Sequence, residues 1–155
     1  LLGAECIDRF CESVVSLLRK IVMKRGYKDM VDEAYAQVTT LSTADAIKLA
    51  NDSNVLFVDV RDIRELEREG LVPGSFHAPR GMLEFWIDPD SPYHKPVFAE
   101  SKRFVFFCAA GWRSALATKL AQDMGLENVA HIEGGFGAWK QAGGPVVEKS
   151  TKTKS

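Results

Sequence analysis

Cysteine is scarce in this 155-residue chain, and its three copies, Cys6, Cys11 and Cys108, exclude two classes of protein. An odd count without regular spacing gives no disulfide framework, and the lack of a C-x-x-C pair gives no zinc ligand set. Such usage suits a reducing compartment, and the cytoplasm is the expected location. Histidine is equally sparse, with His77, His94 and His131 scattered along the chain, so no metal or other cofactor is expected. Charge of one sign is lacking too, since 20 Lys and Arg face 21 Asp and Glu for a net −1. That balance offers no electrostatic case for nucleic acid or an anionic membrane as partner. No uninterrupted apolar run is long enough to span a bilayer, no signal-peptide pattern is seen, and no internal repeat is visible.

What is present is ordinary globular material, 46% hydrophobic and 26% charged, of a length for one domain with a proper core. Its most informative stretch is Phe104-Val105-Phe106-Phe107-Cys108-Ala109-Ala110-Gly111-Trp112-Arg113-Ser114. The aromatic run reads as a buried strand, and the segment from Ser114 to Ala121 has helix formers at helical spacing. Cys108 therefore falls where a strand ends and a helix begins. Loop amides and a helix N-terminus both favour negative charge at such a spot, and so favour a thiolate. Ala109, Ala110 and Gly111 let the loop curl tightly, and Arg113 adds a fixed positive charge. A buried core thiol is the alternative, but the cysteine follows the strand and precedes a glycine and an arginine.

Taken in order, the chain begins with a stretch, 5–22, that puts Ile7, Phe10, Cys11, Val14, Leu17, Leu18 and Ile21 on one helical face. Three readings of this N-terminal amphipathic helix stand: it packs on the domain, it mediates dimerisation or surface attachment, or it is not native. Beyond it, helix is expected over 29–37, strand over 38–41, a helix capped by Ser42 or Thr43 over 44–50, and strand over 55–58. Asp62 with Glu65 three residues on forms a capping-box pattern that opens a charged helix ending at Gly70. Arg61 and Glu65 are spaced as a pair at that helix start. A short strand at 75–78, a helical piece at 82–86, a proline-containing loop to Pro96, a strand at 128–132 and a final helix through Trp139 follow. Strands spaced by helices predict an α/β fold, a central parallel sheet with helices on both faces. Residues 1–37 are expected as a helical extension, 38–148 as the domain and 149–155 as a polar tail. Asp59, Cys108 and Glu133 each follow a predicted strand, so they are expected to converge at the carboxyl edge of the sheet, where ligands bind in such folds.

At this point the chain resembles a family, the rhodanese (thiosulfate sulfurtransferase) domain in its single-domain form. Cys108 to Arg113 fits the six-residue loop C-x-x-G-x-R, followed by the usual serine, Ser114. Asp59-Val60-Arg61 with Glu65, then Gly70-Leu71-Val72-Pro73-Gly74-Ser75, is close to the family's G-H-I-P-G-A segment, with Leu71 in place of the usual His. Glu133-Gly134-Gly135-Phe136-Gly137-Ala138-Trp139 resembles the G-G-x-x-x-W signature. The resemblance spans roughly residues 39–145.

The resemblance implies a sulfurtransferase that moves sulfane sulfur from thiosulfate or a similar small donor to a thiophilic acceptor (cyanide, a thiol or a protein) through a Cys108 persulfide. Cys108 is then the nucleophile, and Ala109, Ala110, Gly111, Trp112 and Arg113 bind substrate and stabilise the persulfide. Asp59, Arg80 and Ser114 are further candidates, behind the loop or as anion contacts. His131, in an apolar strand, reads as a satisfied core histidine rather than a catalyst. A persulfide carrier or a non-catalytic binding module is the alternative function, and phosphatase or arsenate reductase chemistry is a more distant one. The last would call for a loop one residue longer.

Overall fold

The computed structural model describes residues 23–150, so the expected amphipathic helix at 5–22 and the end of the polar tail lie outside the described residues. Five strands form one sheet: β1 (Thr40–Leu41), β2 (Val55–Asp59), β3 (Phe76–His77), β4 (Arg103–Phe107) and β5 (Val129–Ile132). Their order is β1-β5-β4-β2-β3, and every pairing is parallel. Among the described residues six α-helices accompany them, α1 (Tyr27–Gln37) before the first strand, α2 (Thr43–Lys48), α3 (Ile63–Glu69), α4 (Leu83–Ile87) and α5 (Trp112–Asp123) between successive strands, and α6 (Gly135–Gln141) after the last. This is the α/β architecture that the alternating pattern predicts.

The central strands read as nearly unbroken apolar runs because both of their faces are covered. Alternation along β2 and β4 sends Val58, Phe104 and Phe106 to one face, against Leu83 and Ile87 of α4 and Ala117 and Ala121 of α5. Phe57, Val105 and Phe107 point to the other face and meet Ala46 of α2 and Phe136 and Trp139 of α6. Phe106 and Phe107 are both fully buried, and each contributes about 1.5–3 kcal/mol of hydrophobic stabilisation. The alanine face of α5 lets its backbone approach β4 closely. That approach fixes where the helix N-terminus meets Cys108.

Local signals set the helix starts. Ser42 Oγ accepts from the Asp45 amide at 3.1 Å, and Asp62 Oδ1 accepts from the Arg64 amide at 3.0 Å. Glu65 Oε2 completes the capping box by accepting from the Asp62 amide at 3.0 Å. Boundaries shift where tertiary or terminal contacts intervene. Helix α1 opens at Tyr27 rather than at residue 29, with the Tyr27 ring resting on Trp112. Helix α2 stops at Lys48 because the amides of Leu49 and Ala50 bond back three residues, to Ala46 and Ile47, and tighten its last turn.

One pairing differs from expectation. Arg61 and Glu65 do not form a pair at the start of α3. Arg61 turns back instead onto Asp59, with Nη2 to Oδ2 at 2.7 Å and Nε to Oδ1 at 2.9 Å, and both residues are fully buried. The sharp turn after β2 makes this possible, because the Arg61 amide also donates to Asp59 Oδ1. Nη2 reaches the Gly70 carbonyl at 2.9 Å as well, and the guanidinium lies 4.0 Å from the centre of the Phe136 ring. This one side chain thus ties the end of β2 to the end of α3 and to α6.

Candidate active site

Cys108 is the first residue beyond β4, at the carboxyl edge of the sheet, and is 1% exposed. Its Sγ accepts from the Gly111 amide at 3.1 Å and from the Ser114 amide at 3.4 Å. Both donors belong to the turn that opens α5, so backbone dipoles converge on the sulfur. The loop curls this far because Gly111 takes φ 109°, a region a side chain rarely enters. A β-carbon there would also lie 2.7 Å from the Tyr35 hydroxyl.

Helix α6 holds the loop from behind. The Phe136 amide donates to the Cys108 carbonyl at 2.7 Å and the Gly137 amide donates to the Ala109 carbonyl at 3.1 Å. Gly135 makes the approach possible, since a β-carbon on it would sit 2.4 Å from the Cys108 oxygen, at φ 59°. The paired glycines therefore do more than turn a strand into a helix; they bring two amides onto the cysteine loop. Gly135→Ala is expected to cost about 2–3 kcal/mol through strain and overpacking. The loss is measurable by urea denaturation, and the Cys108 thiol should lose its loop geometry along with it.

Arg113 stands at the rim, and its Nη1 and Nη2 form a bidentate pair with Glu65 at 2.7 and 2.8 Å. That hydrogen-bonded guanidinium holds the Glu65 carboxyl at about 2, below its ordinary 4.5, and Arg113 is shifted upward in turn. A carboxyl depressed on folding stabilises the native state above its unfolded value and loses that contribution as pH falls through its folded value. Stability from this pair should therefore fade between about pH 5 and pH 2. Glu65→Gln should flatten that part of the acid-unfolding curve while leaving neutral-pH stability only modestly lower.

The remaining candidates are distributed around this centre. Ala110 and Trp112 are exposed, and the Trp112 ring tilts against Tyr27 at 5.6 Å, so it lines the mouth beside α1. Arg80 is exposed in a 3-10 turn after β3, with its amide on the Val60 carbonyl. Asp59 does not reach the mouth: it is wholly buried, and its carboxylate is bonded to Arg61. Glu133 is exposed beyond β5. Ser114 lies directly behind the sulfur, with Oγ 3.6 Å from Sγ, 3.1 Å from the Gly111 carbonyl and 3.3 Å from His131 Nδ1.

Three contributors escape a reading of motifs alone. Glu65 is legible as a cap but not as the partner of Arg113, 48 residues away. Tyr35 packs edge-on to His131 at 5.0 Å, and its hydroxyl pKa is raised by burial and by negative charge at Cys108 and Glu133. Thr40 Oγ1 lies 2.9 Å from His131 Nε2. Among the described residues, no group of three or more His, Cys, Asp or Glu could hold a metal ion. No helix among them is long and apolar enough to cross a membrane.

The chain has relatives among known proteins. The chain is 29% identical over 110 residues to a rhodanese domain-containing protein of Drosophila melanogaster, covering 67% of this chain and 99% of that one. A solved structure from Rhodopseudomonas palustris, of a protein of unknown function called a possible tyrosine phosphatase, is 63% identical with TM-score 0.80, covering 81% of this chain and 97% of that one. The polysulfide-sulfur transferase homodimer of Wolinella succinogenes is 32% identical with TM-score 0.61, covering 83% of this chain and 91% of that one. The rhodanese-like domain model matches residues 42–142, so the chain belongs to the rhodanese-like domain family.

Proposed function

We propose that this protein is a sulfurtransferase, with residues 38–148 as its catalytic domain, working through a persulfide on Cys108. The observation that carries this reading is the pair of amides, from Gly111 and Ser114, directed at the Cys108 sulfur at 3.1 and 3.4 Å from a helix N-terminus. The name of the Wolinella relative, a polysulfide-sulfur transferase, supports it. In the first half-reaction the Cys108 thiolate attacks the terminal sulfur of the donor. The donor's S–S bond breaks, and its electron pair leaves with the departing group, sulfite in the case of thiosulfate. In the second, a thiophilic acceptor attacks the outer sulfur, and the Cys108 thiolate is regenerated.

Charge is the central problem of this cycle, because the persulfide sulfur is anionic and must be held without water. Amides of the loop and helix N-terminus, directed at the sulfur, meet that need with dipoles already in place. Burial of Cys108 favours donors that present a single slender sulfur over bulky groups. Arg113 supplies positive charge at the rim, with Glu65 setting its orientation. An oxyanion such as thiosulfate shares that guanidinium with Glu65, whereas a persulfide or polysulfide chain does not need it. A reducing compartment such as the cytoplasm suits the thiolate.

The name of the Rhodopseudomonas relative raises phosphoryl chemistry as a second reading. Here four residues separate Cys108 from Arg113, and the turn closes tightly enough for the Gly111 amide to contact Sγ. Such a ring suits one sulfur atom better than the four heavy atoms around a phosphorus. The test is intact-mass measurement after exposure to thiosulfate and, separately, to polysulfide. Gain of one sulfur atom, removed again by cyanide, is expected. No gain from either donor with Cys108 reduced, together with turnover of an aryl phosphate, would replace this reading with the phosphatase one.

A further inference from the structure

The geometry points to His131 as a positioning residue that, through Ser114, turns a hydroxyl donor toward the Cys108 sulfur. The inference rests on Cys108 acting as a nucleophile, and not on which donor it attacks. His131 lies on β5, fully buried, with its two ring nitrogens engaged on opposite sides. Nε2 meets Thr40 Oγ1 at 2.9 Å across the β1–β5 pairing, and Nδ1 meets Ser114 Oγ at 3.3 Å. Ser114 Oγ in turn lies 3.6 Å from Cys108 Sγ. A continuous polar chain therefore runs from the edge strand of the sheet to the sulfur.

Proton accounting shows which ring tautomer serves the sulfur. Ser114 has one hydroxyl proton and two lone pairs, and its neighbours are the Gly111 carbonyl, His131 and the sulfur. The carbonyl can only accept. If Thr40 donates to Nε2, the neutral ring carries its proton on Nδ1 and donates to Ser114 Oγ. The Ser114 proton is then excluded from the histidine and has two destinations, the Gly111 carbonyl at 3.1 Å and the sulfur. When Cys108 is a thiol, its S–H occupies a Ser114 lone pair and the serine donates to Gly111. When Cys108 is a thiolate, rotation about the Ser114 Cβ–Oγ bond turns the O–H to donate a hydrogen bond to the sulfur. The opposite ring tautomer would draw the serine proton onto Nδ1 and leave the thiolate without it.

Burial lowers the His131 pKa to about 4, so the ring is neutral at physiological pH, and in the tautomer protonated on Nδ1 it serves Ser114 as a donor. The other charged or titratable groups around the sulfur are Arg113 on α5, Tyr35 on α1, Glu65 on α3 and Glu133 after β5. Of these only Tyr35 touches His131, edge-on at 5.0 Å, and that contact is lost alike in the leucine and asparagine variants compared below.

The test compares His131→Leu with His131→Asn by the rate of iodoacetamide alkylation of Cys108 across pH, a measurement that needs no sulfur donor. Leucine removes both polar contacts, whereas the asparagine amide can place an N–H near the former Nδ1. His131→Leu removes the N–H that holds and polarises Ser114 Oγ and should alkylate about threefold more slowly at pH values below the titration midpoint, with the high-pH plateau unchanged; the full loss of one charge-assisted hydrogen bond, about tenfold, belongs to Ser114→Ala. His131→Asn should restore most of the wild-type profile. Ser114→Ala, measured in parallel, should shift the profile in the same direction and serves if the leucine variant fails to fold. A wild-type profile in either His131→Leu or Ser114→Ala overturns the inference, as does equal slowing in the leucine and asparagine variants. If the profiles shift as expected while the wild type takes up no sulfur, the sulfurtransferase reading fails and the His131 assignment stands.

Discussion

Cys108→Ser is expected to take up no sulfur from any donor that modifies the wild-type chain. Its sulfur-transfer rate should fall by a factor on the order of 10⁴ or more, as for the loss of other covalent nucleophiles. A serine hydroxyl can occupy the same cradle, but at neutral pH it is neither ionised nor a match for a sulfane sulfur. The Gly111 and Ser114 amides would still find an oxygen to bond, so the variant should fold, and its melting temperature should stay within a few degrees of wild type. That combination, intact stability with absent transfer, separates the nucleophile from a structural thiol. A Cys108→Ser variant that still gains cyanide-labile sulfur would move the chemistry to another residue. The measurement is the intact mass of both proteins after identical donor treatment, with a melting curve run beside it.

Arg61→Ala should be the most destabilising single change in the described part of the chain apart from large core truncations, at about 3–5 kcal/mol. Its cost comes less from the lost attraction than from what remains, the Asp59 carboxylate at 0% exposure with no cation beside it. The truncation also empties the space over Phe136 and frees the Gly70 carbonyl. A loss of that size is a large share of the 5–15 kcal/mol that holds a typical domain together. Replacing both partners with apolar residues, Asp59→Leu with Arg61→Met, should recover much of the loss, because buried ion pairs add little over well-packed hydrophobic groups. Urea denaturation of the two variants distinguishes these outcomes. Recovery in the double variant would identify the uncompensated charge as the source of the damage. No recovery would place it in the packing of the guanidinium against Phe136.

What could be read from the chain alone follows the range of each interaction. The strand before Cys108, the glycine turn and helix α5 are encoded in one unbroken run, residues 103–123, and their local pattern suffices. The same holds for the capping box of Asp62 and Glu65, which is a relation over three residues. The partner of Arg113 is another matter. Glu65 already has a full local explanation as a cap, and nothing in the spacing tells that its other side reaches across the site. Arg61 misleads for a similar reason. A helix-start pair with Glu65 is the ordinary expectation, while the bond back to Asp59 depends on a turn whose dihedral angles no residue type dictates. His131 reads as a core histidine, and it is one, fully buried and hydrogen-bonded. Its approach to Ser114 depends on the β5–α5 packing, and its contact with Thr40 joins residues 91 positions apart.

The sheet order has a consequence for how the chain is made. Strand β5 lies between β1 and β4, yet it is the last of the five to leave the ribosome. Until it arrives, β1 has no neighbour, and β4 can pair only with β2, which leaves its other side bare. That bare side belongs to the run Phe104-Val105-Phe106-Phe107, an aromatic strand with an open hydrogen-bonding edge and the cysteine at its end. The amides of α6 that close over the cysteine loop are translated later still. A growing chain therefore carries an open aromatic edge and an unbraced cysteine loop together, and synthesis of residues 129–137 relieves both.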